Sequence, residues 1–320
     1  MIAVPFNVIE KSLKSFDFKI QKYKAELKVK LLKLSKDGRI SNSNRRYVKA
    51  LIKIADNIIT AKPSTLSSYK KTFDKIVNPK TMKNKKNRNF RTRLLKTLGY
   101  IDRRKDFYPS YFHEIGIEAC VYCNSMLTVS VERVTGKNKK RTTQARFQVD
   151  HYLPKSEYPC FSISLYNLYP TCASCNNIKS TNNVQFKLYE NGSKISGSDF
   201  YFELNMVSVG DYLLNRNSEL ILYEFQEPKS RSPDIKTFNE VFAIQGIYDT
   251  QKSIAEELIL KAEIYTKSYK TTLMTRYPTI LNSATITDRL IMGNYTSEKD
   301  MHKRPIAKFM IDIAKQVGLI

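Results

Sequence analysis

Two C-x-x-C pairs, Cys120 with Cys123 and Cys172 with Cys175, bracket 48 residues and constrain this 320-residue chain more than any other feature. Four thiols in duplicated pairs suit one tetrahedral zinc ion, because each pair turns a tight knuckle and two knuckles close the coordination shell. The interval exceeds that of an ordinary zinc ribbon, so the residues between the pairs are expected to be an insertion stapled by zinc at both ends. A disulfide framework fits a chain of this length less well. The fifth cysteine, Cys160, has no such partner and reads as a buried free thiol.

The charge is lopsided. Residues 1 to 119 hold 29 Lys and Arg against 10 Asp and Glu, so +19 of the formal +24 lies there. A field of that sign suits a polyanion, with nucleic acid first and an anionic membrane second. No apolar run reaches the length of a bilayer span, and the opening MIAVPFNVIEKSLKSF lacks a basic stretch followed by an apolar one. The expectation is a cytoplasmic protein without a membrane partner.

Apolar residues at helical spacing predict amphipathic helices over 18–34, after Asn44 and from Ser64. Residues 80–105 carry eleven Lys or Arg and one acid, Asp102. Their first half reads as a loop and their second as a short helix presenting Arg91, Arg93 and Lys96 to phosphates. Alternation at Leu127, Val129 and Val131, and again at Ala145, Phe147 and Val149, predicts a β-hairpin with a basic tip at 137–141. Its second strand would end at Asp150-His151. Two strands are expected at 199–205 and 219–225, separated by a Gly-Asp turn, and packing helices at 249–269 and 305–317. His113 and His302 read as structural rather than catalytic.

Between the cysteines lie Asp150, His151, Asn167, Asn176 and Lys179. Oxygen donors such as Asp150 and Asn176 suit a hard divalent ion, and a neutral imidazole beside them suits a base that activates water. With a basic surface to recruit phosphodiesters, this is the inventory for metal-assisted hydrolysis. Lys155 and Lys179 are candidate substrate contacts, as are Tyr152 and Tyr158.

The ordered set Cys120-x-x-Cys123, Asp150-His151-x-x-Pro154, Asn167-Leu168 and Cys172-x-x-Cys175-Asn176-x-x-Lys179 resembles the zinc-stapled branch of the HNH endonuclease family. The resemblance covers about a fifth of the chain and implies a ββα-metal core within an α+β protein. It makes His151 the general base and Asn167 the residue that fixes the loop orienting it. Asp150 and Asn176 become the ligands of a catalytic Mg2+ or Mn2+. Asn176 stands where the motif has its third histidine, and an amide oxygen there favours magnesium or manganese over softer ions. A looser likeness along the flanks points to HNH nucleases of prokaryotic anti-phage defence, including those of Septu type, and so to a regulatory partner such as an ATPase.

Three regions are therefore expected: a basic helical nucleic-acid-binding region at 1–106, a nuclease domain at 107–198, and a β-then-helical packing or partner-binding region at 199–320. The function expected is cleavage of DNA, double-stranded in the first instance. The alternatives are an RNA-directed toxin acting on tRNA-like substrates and a zinc-stabilised nucleic-acid-binding protein without catalysis.

Overall fold

The computed structural model describes residues 2–135, 140–180, 182, 184, 186–190, 199–229 and 236–320. Helices dominate and the strands among these residues pair only in twos, which is an α+β chain. No helix among them is long and apolar enough to cross a membrane. The chain divides into two compact units that interleave along the sequence. One holds 6–115 and 130–170, the other 1–5, 116–129 and 171–320.

The first unit carries His151. Its helix α1 (Asp17–Ser35) buries Ile20, Tyr23, Leu27, Leu31 and Leu34, the apolar stripe expected of a helix with a lysine-rich outer face. Tyr23 Oη donates to the Leu98 carbonyl at 2.8 Å, tying α1 to the end of α2 (Arg88–Leu98). Gly99, at φ 69°, closes α2 in the left-handed conformation that glycine adopts without strain. Helix α3 (Phe107–Ile115) follows and buries six of its nine residues, with His113 and Glu114 exposed.

Strands β1 (Ser130–Thr135) and β2 (Lys140–Ala145) pair antiparallel, with Val131 opposite Gln144 and Arg133 opposite Thr142. Ser130 Oγ donates to the Pro109 carbonyl at 2.7 Å and Ser110 lies 3.3 Å from Thr143 Oγ1, which lays the hairpin on α3. Residues 137–139 of the expected basic tip lie outside the described residues.

The predicted second strand does not run on to Asp150-His151. It ends at Ala145, the backbone bends at 146–147 where the Phe147 ring meets Phe112 edge-on at 5.5 Å, and a separate strand β3 (Gln148–His151) pairs with β4 (Leu168–Thr171). His151 thus closes a strand whose partner is β4 rather than the hairpin.

The second unit gathers both ends of the chain. Val4–Pro5 pairs parallel with Tyr189–Glu190, and the Val4 amide donates to Leu188 at 2.7 Å. Strands β5 (Tyr201–Leu204) and β6 (Tyr223–Gln226) pair antiparallel as expected, but a helix, Met206–Asn215, stands where a turn was predicted. Phe202, Tyr223, Tyr248 and Phe309 pack ring against ring beneath them. Phe309 comes from the amphipathic helix Ala307–Gln316, which also holds a buried ion pair, Lys308 to Asp312 at 2.8 Å.

Candidate functional site

The four paired cysteines come together. Their Sγ atoms all lie within 4.8 Å of one another, every one of the four residues is buried, and none forms a disulfide. Such a cluster is able to hold a metal ion such as zinc, since four sulfurs at this spacing surround a single tetrahedral centre. Backbone amides reach two of the sulfurs. The Cys172 amide donates to Cys120 Sγ at 3.3 Å, and Cys172 Sγ accepts from the Cys175 amide at 3.4 Å as the N-cap of helix α4 (Ala173–Lys179). Burial pushes the Cys120 thiol up, while hydrogen bonds from the other three thiols hold Cys123 far below the ordinary range.

One residue of this centre escaped the sequence reading. Asn124 follows the first knuckle at φ 53°, its Nδ2 donates to the Met301 carbonyl at 3.1 Å, and its Oδ1 accepts from the Lys308 amide at 2.9 Å. Asparagine tolerates the left-handed region, so an Asn directly after C-x-x-C was the available signal. His302, read as structural, is buried here at 1% exposure, and its carbonyl accepts from the amides of Glu118 and Ala119. Cys160 belongs to the other unit, buried and free, with the Tyr47 hydroxyl 2.9 Å from its sulfur.

In the first unit His151 is 4% exposed at the end of β3. Its Nε2 lies 3.3 Å from the Ser162 carbonyl, and the Tyr100 ring packs edge-on at 5.1 Å. A carbonyl oxygen only accepts, so Nε2 carries the proton and Nδ1 is the basic nitrogen of the neutral ring. The residues that follow are held by Asn167. Its Oδ1 accepts from the Leu153 amide at 2.7 Å, its Nδ2 donates to the carbonyls of Leu153 at 3.2 Å and Phe161 at 3.0 Å, and its backbone carbonyl accepts from Tyr152 at 3.0 Å.

Asp150 is half-buried beside His151. Its charge acts on Tyr100, whose hydroxyl burial pushes up to about 12, and on Lys155, whose ammonium stands 5.3 Å from the Tyr100 ring centre. Burial of that ammonium and the nearby Arg104 charge pull the Lys155 amine below its ordinary value, against the opposing pull of Asp150.

Asp150, His151 and Asn167 therefore belong to one unit, while Asn176, half-buried on α4, and Lys179 belong to the other. Lys179 is buried at 6% exposure rather than displayed on the helix surface. The three predicted phosphate contacts on α2 also part company. Arg91 turns inward, donating to the carbonyls of Met82 and Asn84, so its guanidinium caps backbone instead of facing out. Arg93 and Lys96 line an open groove of about 730 Å³ shared with Lys30 and Lys33 of α1, with Lys36 just past its end and with Asp37 and Asp102, and Arg93 lies 3.4 Å from Asp37. Comparison with models of known families, with curated proteins and with solved structures finds no match to this chain.

Proposed function

We propose that the chain is a metal-dependent endonuclease of the HNH type that hydrolyses DNA phosphodiester bonds, with the four-cysteine cluster holding structural zinc. The observation that carries this reading is the setting of His151. Its Nε2 is committed to the Ser162 carbonyl, and the loop after it is pinned by every polar atom of the Asn167 side chain. A histidine of purely structural use needs no such brace, whereas a general base needs its acceptor nitrogen fixed in direction.

In the proposed reaction Nδ1 of His151 takes a proton from the attacking water. Asp150, beside His151 in the same unit, would offer its carboxylate oxygen to Mg2+ or Mn2+, since a carboxylate is a donor for a hard ion. That ion, when bound, supplies Lewis-acid stabilisation of the phosphate and of the leaving oxygen. The products carry 5′ phosphate and 3′ hydroxyl. The lysine-rich groove between α1 and α2 supports substrate capture through the backbone, without base recognition. A role against invading DNA, under the control of a partner such as an ATPase, accords with the harm that an unrestrained nuclease would do to its own cell.

His151→Ala is expected to abolish plasmid cleavage in magnesium while leaving zinc content and DNA affinity unchanged. Cleavage at the parental rate would refute the assignment. Degradation of total RNA with plasmid left intact would move the substrate from DNA to RNA.

A further inference from the structure

A second groove, of about 620 Å³, lies between the segment that precedes α3 and strand β2. Its walls are chemically unlike. Arg104 and Lys105 supply one side, Thr142 and Gln144 the other, and an apolar floor including Phe147 and Val149 runs beneath. Thr142 and Gln144 are two apart on β2 and so present to the same face of the hairpin. Neither Arg104 nor Lys105 forms an ion pair with a described residue.

The groove leads to the proposed base. Val149 in its floor directly precedes Asp150 and His151 on β3. Arg104 also stands 6.0 Å from the centre of the Tyr100 ring, against which His151 packs.

We infer that this groove seats the DNA strand that is cut, with Arg104 and Lys105 gripping its phosphates and Thr142 and Gln144 facing its base edges. The inference rests on the nuclease reading for the fate of the strand, but not for its binding. A wall of cations opposite a wall of neutral hydroxyl and amide groups matches the two sides of a nucleic-acid strand, one anionic and one rich in neutral donors and acceptors. A two-stranded β-ribbon is also narrow enough to enter a major groove. The α1–α2 groove mixes its cations with the carboxylates of Asp37 and Asp102, whereas no acid lines this one, so the two surfaces divide the work into capture and placement.

The test uses the full-length His151→Ala chain, expected to hold DNA without cutting it, and fluorescence anisotropy of a labelled DNA duplex across a salt series. Arg104→Gln in that background is expected to weaken binding about three- to tenfold and to lower the salt slope by about 1. Gln144→Ala is expected to leave the slope unchanged and to flatten the preference among duplexes of different sequence. Circular dichroism and zinc content confirm that each variant is folded. Unchanged affinity and slope in folded Arg104→Gln would overturn the inference even if the parent chain cuts DNA. An Arg104-dependent gain confined to an RNA hairpin would overturn its assignment to DNA. If the parent chain cuts nothing but Arg104→Gln still loses affinity and slope, the groove stands and the nuclease reading falls.

Discussion

Asn167 offers a direct measure of how firmly the loop beside His151 is held. The side chain is 1% exposed and makes three hydrogen bonds to backbone groups of Leu153 and Phe161. Asn167→Ala removes all three and leaves a buried amide and two carbonyls without their partner. At about 1 kcal/mol net for each bond, the loop loses about 3 kcal/mol, or about a hundredfold in its opening equilibrium. Amide hydrogen exchange at Leu153 reads that equilibrium locally, and protection there should fall by about the same factor. Protection unchanged within about threefold would refute the claim that Asn167 holds the loop. Asn167→Asp sharpens the test. Its carboxylate still accepts from Leu153 but repels the two carbonyls, so its pKa in the folded state lies above that of the unfolded chain. The deficit of this variant is therefore fully present at neutral pH and shrinks as pH falls, because the protonated carboxyl again donates to one carbonyl.

Metal analysis of the purified chain should find about one zinc per chain, and Cys175→Ser should lose it together with thermal stability. Acidification should release the ion, since protons compete for the thiolates. Lys308→Met strands the Asp312 carboxylate, whose pKa burial already raises, and should cost about 3 to 5 kcal/mol in urea unfolding. Adding Asp312→Asn should recover most of that loss. Burial, aided by Lys303, holds His302 down to about 4, so the unfolded chain binds its proton more readily than the folded one. Stability should therefore fall by about 3 kcal/mol as pH drops from 6.5 to 4, and His302→Phe should flatten that slope.

The features legible in the sequence are those set by spacing along one element or by rare residues. The stripe of α1 was readable because Ile20, Leu27, Leu31 and Leu34 repeat with the helix itself, and all four are buried. The cysteine cluster was readable because the duplicated C-x-x-C has few other uses. What escaped depends on partners far along the chain. Ala145, Phe147 and Val149 keep a strand's alternation straight through the bend at 146–147, and nothing local says that Gln148–His151 pairs with 168–171. Gly210-Asp211 looked like a turn because glycine weakens helices. The opposing sign was Asn205, whose side chain caps Met206–Asn215 by accepting from Val207 and Ser208. Arg91 looked like its neighbours Arg93 and Lys96, and only the fold around Met82 and Asn84 turns it inward.

The interleaving of the two units sets an order of assembly during synthesis. Every residue of the histidine-bearing unit has been made once residue 170 is joined, and its contacts can form while the rest is still to be translated. The cysteine-bearing unit waits far longer. Its first residues must find Val121 and Leu188, and the turn after Cys123 is pinned by Met301 and Lys308. A chain halted before residue 300 would thus carry the whole histidine-bearing unit and a cysteine cluster whose turn after Cys123 lacks its support.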